Sequence, residues 1–129
     1  MAGESFTMIT GVDPAFEDLD GEQPEDFEAG PTENPEDENV EMDPDEDLPW
    51  PNIELVQDWW GKNKVRFRDG TRHLVGQPIV EPNLQQVLHN GCQRQRAAAA
   101  LGLAINKPGK PLFEICTPRF RQERILGLK

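Results

Sequence analysis

The chain has 129 residues, with 24 Asp and Glu against 13 Lys and Arg, for a formal net charge of −11. One folded domain is the ceiling at this length, and no stretch reaches the roughly 18 apolar residues of a membrane helix. The mean charge hides a division. Residues 1–60 hold 20 acidic side chains and no basic one, whereas residues 61–129 hold all 13 basic ones and only Asp69, Glu81, Glu114 and Glu123 as acids.

The opening Met1–Ala2–Gly3–Glu4 lacks the basic-then-apolar pattern of a signal peptide. Glycine stands at position 3 rather than 2, so myristoylation is not indicated. Ser5–Thr10 reads as a short strand that needs another sheet edge to pair with. Asp13–Pro14 carries a helix-start signature, with the aspartate as cap and the proline at the first helical position. It would place Phe16 and Leu19, three apart, on one face of a single turn, too short to hold alone. Residues 22–47 are mainly Pro, Glu, Asp, Gly and Asn, with Phe27, Val40 and Met42 as isolated apolar points. Self-repulsion and poor burial predict an extended stretch, able to span up to about 90 Å.

Leu48–Pro49–Trp50–Pro51 marks the entry to the folded part. Ile53, Val56 and Trp60, with Leu55 and Trp59, fit a helix ended by Gly61, although Ile53, Leu55 and Trp59 also fit a strand. Lys64–Arg68 alternates, Asp69–Gly70 is a two-residue hairpin signal, and Thr71–Val75 returns. That pairing sets Val65 opposite Leu74 and Phe67 opposite Arg72, with Arg66 and His73 on the outer face. Asn83–Asn90 reads as a helix with a Leu84, Val87 and Leu88 stripe. A second helix follows over Cys92–Ala104, where alanines 97–100 allow close approach of a neighbour. Leu112–Cys116 reads as a short strand. Thr117–Pro118 opens a last helix that Gly127 closes. The expected fold class is therefore α+β: a small basic domain over 48–129, with a β-hairpin and three to four short helices, preceded by a long acidic extended arm over 1–47. A domain of roughly 80 residues is near the size at which one core is marginal, so a partner or self-association as a homo-oligomer is expected.

The candidate chemistry thins out on inspection. Ala104–Pro111 brushes against the phosphate-loop pattern but lacks its first glycine and its terminal hydroxyl, and it follows a helix. His89 and Cys92 form a single close pair of ligand types where zinc uses two, so no metal site is expected. Residues 61–129 hold two histidines, four carboxylates and no serine or tyrosine. The arm's carboxylates have no low-dielectric pocket to make them acids or bases. No enzyme activity and no cofactor are expected. Cys92 and Cys116 read as reduced thiols in a cytoplasmic or particle-internal setting.

Trp59, Trp60, Lys62, Lys64, Arg66, Arg68 and Arg72 interleave aromatic and basic side chains, as a nucleic-acid contact would. Arg94 and Arg96, then Arg119, Arg121 and Arg124, add two basic patches. No known nucleic-acid motif accompanies them. Core packing is the favoured account of the tryptophans in so small a domain, and binding of acidic protein, including this chain's own arm, is the competing account of the arginines. The leading expectation is a non-enzymatic structural or interaction protein, a small subunit of a larger assembly such as a virus or phage particle. Its arm would bind protein neighbours through Phe6, Met8 and Ile9 as an added strand, and through Phe16 and Leu19 as a short helix. The alternative is a nucleic-acid-binding regulator, or a DNA mimic, with an autoinhibitory acidic arm. Neither reading involves a membrane.

Overall fold

The structure, a computed structural model, describes residues 2–24, 36, 38 and 48–127. These hold five α-helices and two small antiparallel two-stranded sheets, an α+β composition. The acidic arm expected over 22–47 lies for the most part outside the described residues. The chain divides into two compact units, Met1–Thr7 with Val12–Arg66, and Met8–Gly11 with Phe67–Lys129. Among the described residues no helix is long and apolar enough to cross a membrane.

The chain begins in α1 (Ala2–Thr10), where a strand was expected over Ser5–Thr10, and the last turn of this helix belongs to the second unit. The helix wins because the less exposed positions recur at helical spacing. Gly3 and Thr10 are buried and Phe6 and Thr7 half-buried, whereas Ala2, Ser5 and Ile9 are exposed. Asp13 does cap the following turn, its Oδ1 accepting from Ala15 N at 3.1 Å and Phe16 N at 3.4 Å. The turn closes through Leu19 N to the Pro14 carbonyl at 2.7 Å. It does not present Phe16 and Leu19 on one face: Leu19 is 6% exposed and Phe16 83%.

β1 (Asp20–Gly21) then pairs antiparallel with β2 (Trp50–Pro51), in the register Asp20 to Pro51 and Gly21 to Trp50. Asn52 joins this ladder to α2 (Ile53–Asn63). Its backbone N–H donates to the Leu19 carbonyl at 2.8 Å. Its side-chain oxygen accepts from Glu54 N at 3.0 Å and Leu55 N at 3.2 Å, satisfying two of the donors a helix start leaves open. Gly61 does not stop α2, which runs on to Asn63 and tightens into a 3₁₀ turn over Lys64–Arg66.

The second unit departs from the expected hairpin. Asp69–Gly70 does turn the chain, with Thr71 N donating to the Arg68 carbonyl at 3.1 Å, but no ladder follows. The ladder instead joins β3 (His73–Leu74) to β4 (Gln77–Pro78). Its two-residue turn, Val75–Gly76, has positive φ at both positions, 51° and 76°, the type I′ signature. A valine is disfavoured there, and what holds it is the end of α1. Val75 N donates to the Met8 carbonyl at 2.8 Å and Gly76 N to the Ile9 carbonyl at 2.9 Å. Those carbonyls are among the acceptors a helix terminus leaves unpaired. Val65, expected opposite Leu74, is 86% exposed.

The core of this unit is the pair α3 (Glu81–Asn90) and α4 (Gln93–Asn106). Leu84, Val87 and Leu88 of α3 meet Ala99 and Ala100 of α4, with Leu74 from β3. The small residues of α4 permit a close crossing. A Cβ at Gly102 would sit only 3.1 Å from both Leu84 methyls. No strand forms over Leu112–Cys116; Phe113 and Ile115 lean on the core from an irregular connection. The last helix, α5 (Arg119–Leu126), starts after Pro118 and ends at Gly127 with φ 70°. Thr117 does not cap it: Pro118 is the residue at the cap, with no side-chain cap bond, and the Thr117 hydroxyl donates to the Glu114 carbonyl at 3.0 Å.

Candidate functional site

The expected arm anchors are largely engaged within the chain. Phe6 packs edge-on against Trp59, ring centroids 5.2 Å apart and planes at 83°. Met8 packs against the core of the second unit, and Leu19 is buried. Ile9 and Phe16 remain open to solvent.

The expected basic and aromatic ribbon is not one hairpin. Trp59, Trp60 and Lys62 lie on α2 and Lys64 and Arg66 in the 3₁₀ turn, all in the first unit. Arg68 and Arg72 flank the Asp69–Gly70 turn in the second. Arg94 and Arg96 lie in the first turns of α4, and Arg119, Arg121 and Arg124 on α5.

Arg96 is a tie rather than a free charge. Its Nε donates to the Leu88 carbonyl near the end of α3 at 2.9 Å, and its Nη1 to Gln93 Oε1 at 2.9 Å. Its Nη2 donates to Gln122 Oε1 on α5, so one guanidinium joins three helices. Arg119 pairs with Glu123 at 2.7 Å, one helical turn on. The Arg121 guanidinium lies 5.9 Å from the Phe120 ring centroid. That leaves the α5 arginines exposed but partly engaged with their own helix.

A cleft of about 260 Å³ opens beside α3, α4 and α5, floored by Leu88, Ala100, Leu103, Phe113 and Leu126. Glu81 and Lys107 also line it and are paired with each other. Among the described residues no group of three or more His, Cys, Asp or Glu side chains converges to hold a metal ion. No family model, curated protein or solved structure matches this chain.

The outer face of α4 is the feature that the residue types in the sequence understated. Residues 97–105 read Ala–Ala–Ala–Ala–Leu–Gly–Leu–Ala–Ile, with no polar side chain on any side. One side is consumed by Leu84 and its neighbours. Ala97, Leu101 and Ile105, spaced four apart in a single row, face outward, and Leu101 and Ile105 are each 55% exposed. Exposed Phe120 and Ile125 on α5 add apolar surface to the same unit. The signal was available: a helix that is apolar all round is ordinarily covered all round.

Proposed function

We propose that this is a non-enzymatic interaction protein, a small subunit of a larger assembly, and that the outer row of α4 is where a protein neighbour seats. The observation that carries this reading is the second apolar face of α4. A surface helix of a free-standing protein keeps charged or polar residues opposite its core stripe. This one offers Leu101 and Ile105 instead, with Arg94 in its first turn and Lys107 just past its end. Fully burying a Leu or Ile side chain contributes about 1.5–3 kcal/mol. Covering the remaining halves of both therefore adds roughly 2–3 kcal/mol to an association. The net charge of −11 keeps the unbound chain dispersed without hiding that row.

The test is native electrophoresis of an extract from cells that make the intact protein. The wild-type chain migrates in a complex several times heavier than its own 14.6 kDa. The double substitution Leu101→Glu and Ile105→Glu weakens that association by about 100-fold or more, because it also buries unpaired charge, and releases the chain. A wild-type chain that migrates alone in such an extract contradicts the proposal.

A further inference from the structure

Cys92 and Cys116 are the two cysteines of the chain, and both thiols are free and exposed. The second unit brings their immediate neighbours together although they are far apart in sequence. Gln93 Nε2 donates to the Ile115 carbonyl at 3.4 Å across 22 positions. Cys92 caps the start of α4, its N–H donating to Gln95 Oε1 at 3.0 Å. Cys116 sits in the turn before α5, its N–H donating to Glu114 Oε1 at 3.0 Å. Gln122 of α5 holds both carbonyls that flank Cys116, donating to Ile115 O at 2.8 Å and Thr117 O at 2.6 Å. Arg96 in turn binds Gln122. Side-chain amides thus dock the Cys116 turn on the first turn of α4.

A glutamine side chain and one hydrogen bond set the Gln93 Cα about 8 Å from the Ile115 carbonyl oxygen. Each cysteine stands one residue away from these, so the two cysteine Cα atoms lie within about 15 Å. A disulfide brings its two Cα atoms to about 4.4–6.8 Å. Closing the disulfide therefore requires the connection over 111–117, which forms no helix or strand, to move toward the start of α4 by several ångströms. The Gln93–Ile115 hydrogen bond is what the covalent link would replace.

We propose that Cys92 and Cys116 form a reversible intramolecular disulfide, a thiol-oxidation site that locks the turn before α5 to the start of α4. The oxidant is a low-molecular-weight disulfide of the glutathione class. One cysteine thiolate attacks a sulfur of that disulfide, breaking its S–S bond and expelling one glutathione thiol. The other cysteine thiolate then attacks the protein sulfur of the mixed disulfide and expels the second. The chain loses two protons and two electrons, and one glutathione disulfide becomes two thiols. Closing a ring of about 25 residues restricts the unfolded chain, so the oxidised form melts higher, by about 5 °C or more.

Full-length protein treated with glutathione disulfide and digested with trypsin without reduction tests this directly. Cleavage after Arg94 and Arg96 separates the cysteines, and the bonds at Lys107–Pro108 and Lys110–Pro111 resist. The expected product is a monomer two hydrogens lighter, yielding His73–Arg94 linked to Ala97–Arg119 and melting above the reduced form. Dithiothreitol reverses both changes, and Cys116→Ser takes up a single glutathione instead. A wild-type monomer that carries two glutathiones, a covalent dimer, or a linked monomer that melts no higher overturns the proposal.

Discussion

Gly76 shows how much of this small fold rests on single backbone positions. It occupies the second place of a type I′ turn at φ 76°, where a side chain is strained by about 1–2 kcal/mol. A Cβ built there would lie 2.6 Å from the Thr10 carbonyl oxygen. Gly76→Ala therefore meets both penalties at once, and either relief, moving the turn or moving the end of α1, disturbs the bonds to Met8 and Ile9. A loss of about 2–4 kcal/mol is expected from the two effects combined. Circular dichroism at 222 nm during urea unfolding measures it; a loss under 0.5 kcal/mol would show that the turn has room to spare. Asn52 carries the corresponding role in the first unit, where one side chain starts α2 while its backbone ties back to Leu19. Val75 is the instructive exception, a β-branched residue at φ 51° that no turn rule selects.

At the scale of elements, the helices were the legible part of the sequence. Leu84, Val87 and Leu88 announced α3, the alanine run announced α4, and Gly127 marked the end of α5. Each rests on local spacing or a local backbone preference, which a sequence displays directly. The errors arose where a distant group decided. The alternation through Val65 and Phe67 pointed to a hairpin at Asp69–Gly70. The hairpin formed at Val75–Gly76 instead, because its two amides serve the last carbonyls of α1. Ser5–Thr10 carried strand-like β-branched residues, yet its burial follows a helical period. The candidate site is half legible: alanines 97–100 announce close packing against a neighbour, whereas the uncovered second face depends on which side of α4 meets Leu84. Arg96, read as surface charge, is a brace among three helices. Arg96→Met keeps the aliphatic stem but removes the donors to Leu88, Gln93 and Gln122. It is expected to cost about 1–3 kcal/mol. Amide hydrogen exchange over 119–126 should then quicken before that of α3 does. Equal protection of α5 in both proteins would remove Arg96 from that role.

At the scale of the whole molecule, the division of charge and the distribution of tryptophan coincide. Trp50, Trp59 and Trp60, all the tryptophan of the chain, belong to the first unit, with the acidic sequence. Unit two holds the uncovered apolar row and the arginines of α4 and α5. The net figure of −11 thus averages two chemically different bodies, and it speaks to solubility more than to what either body binds. The central claim is that a protein neighbour covers the outer face of α4. A photo-crosslinking benzoylphenylalanine at position 101 of the full-length protein, compared with one at exposed Asp69, tests it in the cells that make the chain. A discrete adduct of higher mass from position 101, absent from position 69, is the predicted result. Equal labelling from both positions, or none from position 101, would contradict it.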